Sequence, residues 1–158
     1  MKKSRAVSFL LLLCLVALSG CGGGGGNSAP SGSSLSVNPA EITVTDAASS
    51  TSWTTQFYTI SLQNAEGQSL GKTKVTITFP YAVPSSYGVV QLYDGDTPVN
   101  SPLDVETDDF GVYYLRLDMQ TGGGLEYSGD LEARSGDAFA SSKITVNSTS
   151  TSGSTKSR

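Results

Sequence analysis

Between residues 41 and 146 the chain is apolar at every second position over a series of short runs. A period of two belongs to half-buried strands and not to amphipathic helices, so it constrains the fold more than any other feature. Residues 111–120 carry the strongest run, with Tyr113, Leu115, Leu117 and Met119 on one face and Arg116 and Asp118 on the other. Ile42 and Val44 repeat the pattern, as do Tyr58, Ile60 and Leu62, then Val75, Ile77 and Phe79, and lastly Ile144 and Val146. Residues 89–93, 103–107 and 125–133 read as further strands. Turn-forming or strand-ending residues separate them: 64–71, Pro80 and Pro84, Gly122-Gly123-Gly124, and Ser135-Gly136-Asp137. No stretch combines a helical period with caps. About seven strands with turns every eight to twelve residues predict an all-β chain folded as a single Greek-key β-sandwich.

Cysteine and histidine usage narrows the chemistry. Histidine is absent, and the only cysteines are Cys14 and Cys21. No disulfide can staple the sandwich, and Cys/His zinc sites are excluded.

Lys2, Lys3 and Arg5 precede an apolar run over residues 9–18, too short for a bilayer span of about 20 residues. Leu18-Ser19-Gly20-Cys21 then resembles the lipobox of bacterial lipoproteins. The resemblance implies a signal peptide over residues 1–20, cleavage before Cys21, and lipidation of Cys21 by acyl chains that hold the protein on a membrane. Gly22 differs from the aspartate that marks inner-membrane retention in that group, which favours the outer membrane of the bacterial cell envelope, on its periplasmic side or at the cell surface. Loss of Lys2, Lys3 and Arg5 leaves seven basic against fourteen acidic side chains. Such a surface repels nucleic acid and anionic headgroups.

Residues 21–34, a lipidated cysteine followed by Gly and Ser, read as a flexible linker, and the Ser/Thr-rich residues 148–158 as a disordered tail. The folded domain is then 35–147. Within it, Ser61-Leu62-Gln63-Asn64-Ala65-Glu66-Gly67 followed by Val75-Thr76-Ile77-Thr78-Phe79 resembles the second and third strands of bacterial immunoglobulin-like domains of the intimin and invasin type. Thr107-Asp108-Asp109-Phe110-Gly111 is similar to the T-D-x-x-G turn of that family, and Tyr127–Ala133 through Ile144-Thr145-Val146 to its last strands. Residues 81–102 depart from the pattern. The resemblance implies an immunoglobulin-like sandwich used as a spacer or adhesive module, with no catalytic residues to carry over.

Three groups of residues invite a chemical reading. Gly67-Gln68-Ser69-Leu70-Gly71 fits the G-x-S-x-G pattern of serine hydrolases, but that pattern needs a strand-to-helix elbow and a base, and the chain has no histidine. Asp94 and Asp96 lie in one loop, and Asp104, Glu106 and Asp108 follow at every second position with Asp109 adjacent. If extended, the second stretch puts carboxylates on one face about 6.5–7 Å apart, which suits calcium, a solvated exterior or turn formation. Trp53 and Phe57 share one face of their run, opposite Tyr58 and Ile60. They form either an exposed platform for a sugar or a protein, or one side of a sheet buried on both sides. The expected function is a membrane-anchored, non-enzymatic module for structure, assembly or adhesion in the cell envelope. It needs no cofactor beyond the lipid on Cys21 and acts on another envelope or surface protein. The alternative is a calcium- or carbohydrate-binding surface module.

Overall fold

The computed structural model describes residues 27–47, 51–82 and 88–149. The segment expected to be a signal peptide, Cys21 with the first residues of the expected linker, and the expected tail from residue 150 lie outside the described residues. The described residues form ten strands: β1 (Ser34–Asn38), β2 (Glu41–Ala47), β3 (Thr51–Gln63), β4 (Lys74–Thr78), β5 (Val90–Asp94), β6 (Thr97–Val99), β7 (Leu103–Glu106), β8 (Val112–Gly122), β9 (Tyr127–Ser135) and β10 (Ala138–Thr149). They make two five-stranded sheets in the orders β1-β3-β8-β5-β6 and β2-β10-β9-β4-β7. Most connections cross from one sheet to the other, so neighbours within a sheet are rarely consecutive, which is the Greek-key signature. The chain is an all-β, immunoglobulin-like sandwich.

The period-two faces close the core. Tyr58, Ile60 and Leu62 of β3 and Leu115, Leu117 and Met119 of β8 are buried from the first sheet. Val75 and Ile77 of β4, Leu131 of β9, and Ile144 and Val146 of β10 meet them from the second. Each such aliphatic chain contributes roughly 1.5–3 kcal/mol by leaving water. Tyr113 packs on this core only half-buried, and Ile42 and Val44 are half-buried because β2 is an edge strand.

The ten strands exceed the eight apolar runs read from the sequence by two, β1 and β6. β1, where Leu35 and Val37 alternate with polar residues, precedes the first expected run and pairs antiparallel with β3; past Pro39, which has no N–H to donate, β2 crosses to run parallel to β10. The short β6 closes a hairpin on β5 within residues 81–102, the segment that departs from the family pattern.

Both domain boundaries move outward. Residues 27–33, expected to be flexible, lie against the sandwich. The Ala29 N–H donates to Ser135 Oγ at 3.0 Å, the Lys74 N–H donates to the Asn27 carbonyl at 2.7 Å, and Ala29 is buried. Gly136, at φ +57°, lets this arm approach, since a Cβ there would strike the Ala29 carbonyl oxygen. At the other end Ser148 and Thr149, expected in the tail, continue β10 because β2 offers Asp46 and Ala47 as ladder partners. The arm therefore enters beside the β9–β10 hairpin, and β10 carries the chain to the opposite pole, about 36 Å away for twelve strand residues.

Candidate functional site

The six carboxylates considered for calcium are dispersed. Asp94 and Asp96 belong to the β5–β6 hairpin in the first sheet, whereas Asp104 and Glu106 lie on β7 in the second. Asp94 accepts the Tyr113 hydroxyl at 2.9 Å, and burial together with that carboxylate holds the Tyr113 pKa well above its ordinary value. Asp96 lies 3.8 Å from Arg116. Asp104 is paired with Lys74 at 2.8 Å and accepts Thr76 Oγ1, so its pKa is depressed. Glu106 accepts from the Asn27 side-chain amide at 3.5 Å. Asp109 pairs with Lys72 at 3.3 Å. Asp108 lies past the end of β7, where one carboxylate oxygen accepts the N–H groups of Phe110 and Val112, each at 2.9 Å. No three acidic side chains converge among the described residues.

The G-x-S-x-G run is a loop between β3 and β4, not an elbow before a helix. Ser69 bridges to Gln63, and Asn64 Oδ1 accepts the N–H groups of Glu66 and Gln68 to close the turn. Loop closure explains its glycines and serine.

The two outer faces of the sandwich differ sharply. On the second sheet the outward residues are mostly charged or hydroxylated. Lys143 stands between Asp130 and Glu41 in register, and Arg134 covers Phe139, the one large exposed hydrophobic of that face among the described residues. The first sheet exposes aromatic rings instead: Trp53 is 54% exposed, Phe57 67% and Tyr114 67%. Of the two placements open for Trp53 and Phe57, the exposed one is observed, because no layer of the described residues covers this side of β3.

Register assembles this face. Phe57, Arg116, Tyr93 and Pro98 form one row across β3, β8, β5 and β6, and Thr55, Asp118 and Gln91 form the next. The Arg116 guanidinium lies over the Tyr93 ring at 4.3 Å and grips Asp118 with two hydrogen bonds, Nε to Oδ1 at 3.0 Å and Nη2 to Oδ2 at 2.6 Å. Thr55 Oγ1 donates to Asp118 Oδ1 at 2.7 Å. Asp118 does share the non-core face with Arg116, as the alternation predicts, but these partners leave it only 8% exposed. Arg116 is the leading cause of its lowered pKa. Beside this row Trp53, Gly88, Gln91, Tyr93 and Asp118 line an open cleft of about 400 Å³. Gly88 and Gln91 are the members that sequence reasoning missed, because their place in the cleft depends on the register of three strands. Opposite charges at i and i+2 on the non-core face of β8 were the one signal for the Arg116–Asp118 pair.

No family model and no curated protein matches the chain. Among solved structures it is similar to the PapD-like domain 7 of human CEP192, with 12% identity, a TM-score of 0.41, and coverage of 80% of this chain and 90% of that one. It is also similar to the adhesin InvE of Yersinia pseudotuberculosis, with 19% identity, a TM-score of 0.40, and coverage of 80% of this chain but 29% of the adhesin. The fold assignment itself rests on the strand order and register given above, which make the chain an immunoglobulin-like sandwich.

Proposed function

We propose that the chain is a lipid-anchored, non-enzymatic module of the bacterial cell envelope, of the intimin and invasin type, which engages a partner in adhesion or assembly through the outer face of the β3–β8–β5 sheet. The exposed row of Phe57, Arg116 and Tyr93, with Trp53 and Tyr114 beside it, carries this reading. Trp, Tyr and Arg are the side chains that supply most of the energy at recognition surfaces, and an uncovered aromatic face loses solvation cost when a partner covers it. The opposite face, solvated and charge-paired, offers no such gain.

With the lipid on Cys21, covalent reach alone keeps Asn27 within roughly 20 Å of the anchor. The pole that holds the arm is then membrane-proximal, while the Thr149 pole and the Trp53 end of β3 point away.

Two measurements test the reading. Membrane fractionation of Cys21→Ala should move the protein to the soluble fraction. Crosslinking pull-down from intact cells should recover a partner with wild type, and lose it with Trp53→Ala and Phe57→Ala while Phe139→Ala retains it. A Cys21→Ala protein that stays tightly in membranes would overturn the anchor, and capture indifferent to Trp53 and Phe57 would overturn the face.

A further inference from the structure

We infer that the cleft beside Trp53 and Tyr93 binds an uncharged sugar unit of a glycan, which names the ligand class of the face proposed above and rests on that reading. Its volume of about 400 Å³ falls in the range of small-ligand sites, which combine apolar walls with a few fixed polar groups. Here both parts are present. A pyranose ring presents C–H groups on its faces and hydroxyls around its rim. Trp53 on β3 and Tyr93 on β5, one strand to either side of β8, line the cleft; Trp53 supplies the exposed aromatic surface for a C–H face, and Tyr93, one ring face of which Arg116 covers, forms the opposite wall.

The polar groups between them are oriented before any ligand arrives. Gln91 commits its amide Nε2 to the Leu92 and Val99 carbonyls at 2.8 and 2.9 Å, which leaves Oε1 as a fixed acceptor. Asp118 Oδ1 accepts from Thr55 and Arg116, but Oδ2 accepts from Arg116 alone and keeps a lone pair for a further donor. The Trp53 indole N–H adds a donor. Ligand hydroxyls can donate to Gln91 and Asp118 and accept from Trp53.

Charge selects against other occupants. Asp118, the carboxylate that lines the cleft, is paired with Arg116, which also meets Asp96 at 3.8 Å outside the lining, on a chain whose net charge is −4 and becomes −7 without residues 1–20. An anionic glycan meets general repulsion, and a cationic ligand would have to displace Arg116 from Asp118. A protein partner needs about 800 Å² per side of complementary surface, whereas the fixed acceptors here, Gln91 and Asp118, line one open cleft.

Trp53 is the only tryptophan in the chain, so its emission reports this cleft alone. The full chain, held in a sugar-free zwitterionic detergent, is titrated with neutral oligosaccharides: hexamers of β-1,4-glucose, α-1,4-glucose, β-1,3-glucose and β-1,4-N-acetylglucosamine, with oligogalacturonate as the anionic control. At least one neutral hexamer should give a saturable shift or quench of Trp53 emission, with oligogalacturonate silent. Gln91→Ala and Tyr93→Ala should each weaken that titration about tenfold, and Phe139→Ala should leave it within a factor of about two. Thermal melts of each variant separate lost binding from lost folding, and calorimetry with Trp53→Phe checks the wall that carries the reporter. Flat titrations with every neutral hexamer overturn the sugar assignment. If capture of a protein through Trp53 and Phe57 persists in that case, the ligand is a protein and the functional reading stands; if capture is lost as well, both fall.

Discussion

Arg116 and Asp118, two residues apart on the outer face of β8, are locked together by a bidentate pair whose shorter arm is 2.6 Å. The pair holds the guanidinium over Tyr93, 4.3 Å from the ring centre, and so fixes the centre of the aromatic face.

This pair has a defined pH signature. The Asp118 pKa is lowered in the folded state, chiefly by Arg116, while an unfolded aspartate titrates near about 3.9. Its stabilisation is therefore fully present above that unfolded value and is lost as pH falls through the lower folded one. Asp118→Asn should have a lower Tm than wild type by a constant gap above about pH 5, and the gap should close in more acid solution. A gap unchanged down to pH 2 would show that the charge of Asp118 is not what stabilises.

Leu115 is fully buried between the sheets, opposite Tyr58 in the β3–β8 ladder. Leu115→Ala removes buried methyls and leaves a cavity, at a cost of about 2–5 kcal/mol from a total of roughly 5–15 kcal/mol. A urea melt should show a lower midpoint with an unchanged slope. A difference below about 0.5 kcal/mol would contradict the packing described.

The T-D-x-x-G turn has a physical account at each named position. Thr107 Oγ1 donates to the Leu70 carbonyl at 2.7 Å and accepts the Thr73 N–H at 3.1 Å, while Asp108 closes the turn on Phe110 and Val112. Gly111 has φ +74°, and a Cβ on it would lie 2.7 Å from the Leu62 carbonyl oxygen and 2.8 Å from the Leu70 nitrogen. Gly111→Ala should cost about 1–3 kcal/mol, read as a lower denaturation midpoint. A wild-type midpoint would mean that the turn relaxes without strain.

How far the sequence speaks follows the same physics. Alternation told the two sides of β3, β4, β8 and β10 apart because only one side of each meets the opposite sheet. It could not tell a bare outer face from one covered by a third layer, so the exposure of Trp53 and Phe57 needed the structure. β6 was illegible, since Thr97-Pro98-Val99 has neither length nor alternation. The arm was misread because Gly and Ser suit a coil and a close approach equally well, and Ala29 is too small to announce burial.

That arm gives a local prediction. Ser135 Oγ accepts from Ala29 and donates to the Lys74 carbonyl, tying the arm to the start of β4. Ser135→Ala leaves a buried N–H unpartnered, a penalty of about 1–3 kcal/mol. Amide exchange at Ala29 should accelerate, with exchange at Leu117 in the centre of β8 unchanged. Equal protection of Ala29 in variant and wild type would mean that the arm is held by its other contacts.

The last prediction concerns calcium. An ion bound by the folded state alone raises stability by about 2.7 kcal/mol at a hundredfold excess over Kd, a shift of several degrees in Tm for a domain of this size. Such a site needs six to eight oxygens around one point. Here Asp104 and Asp109 are each committed to a lysine, Asp108 to backbone N–H groups, and Asp94 and Asp96 lie on the other sheet. Calcium and magnesium at matched ionic strength should therefore move Tm equally, through screening alone. A rise specific to calcium that disappears in Asp104→Asn or Asp108→Asn would show that these carboxylates regroup around the ion, and would make the chain a calcium-binding module.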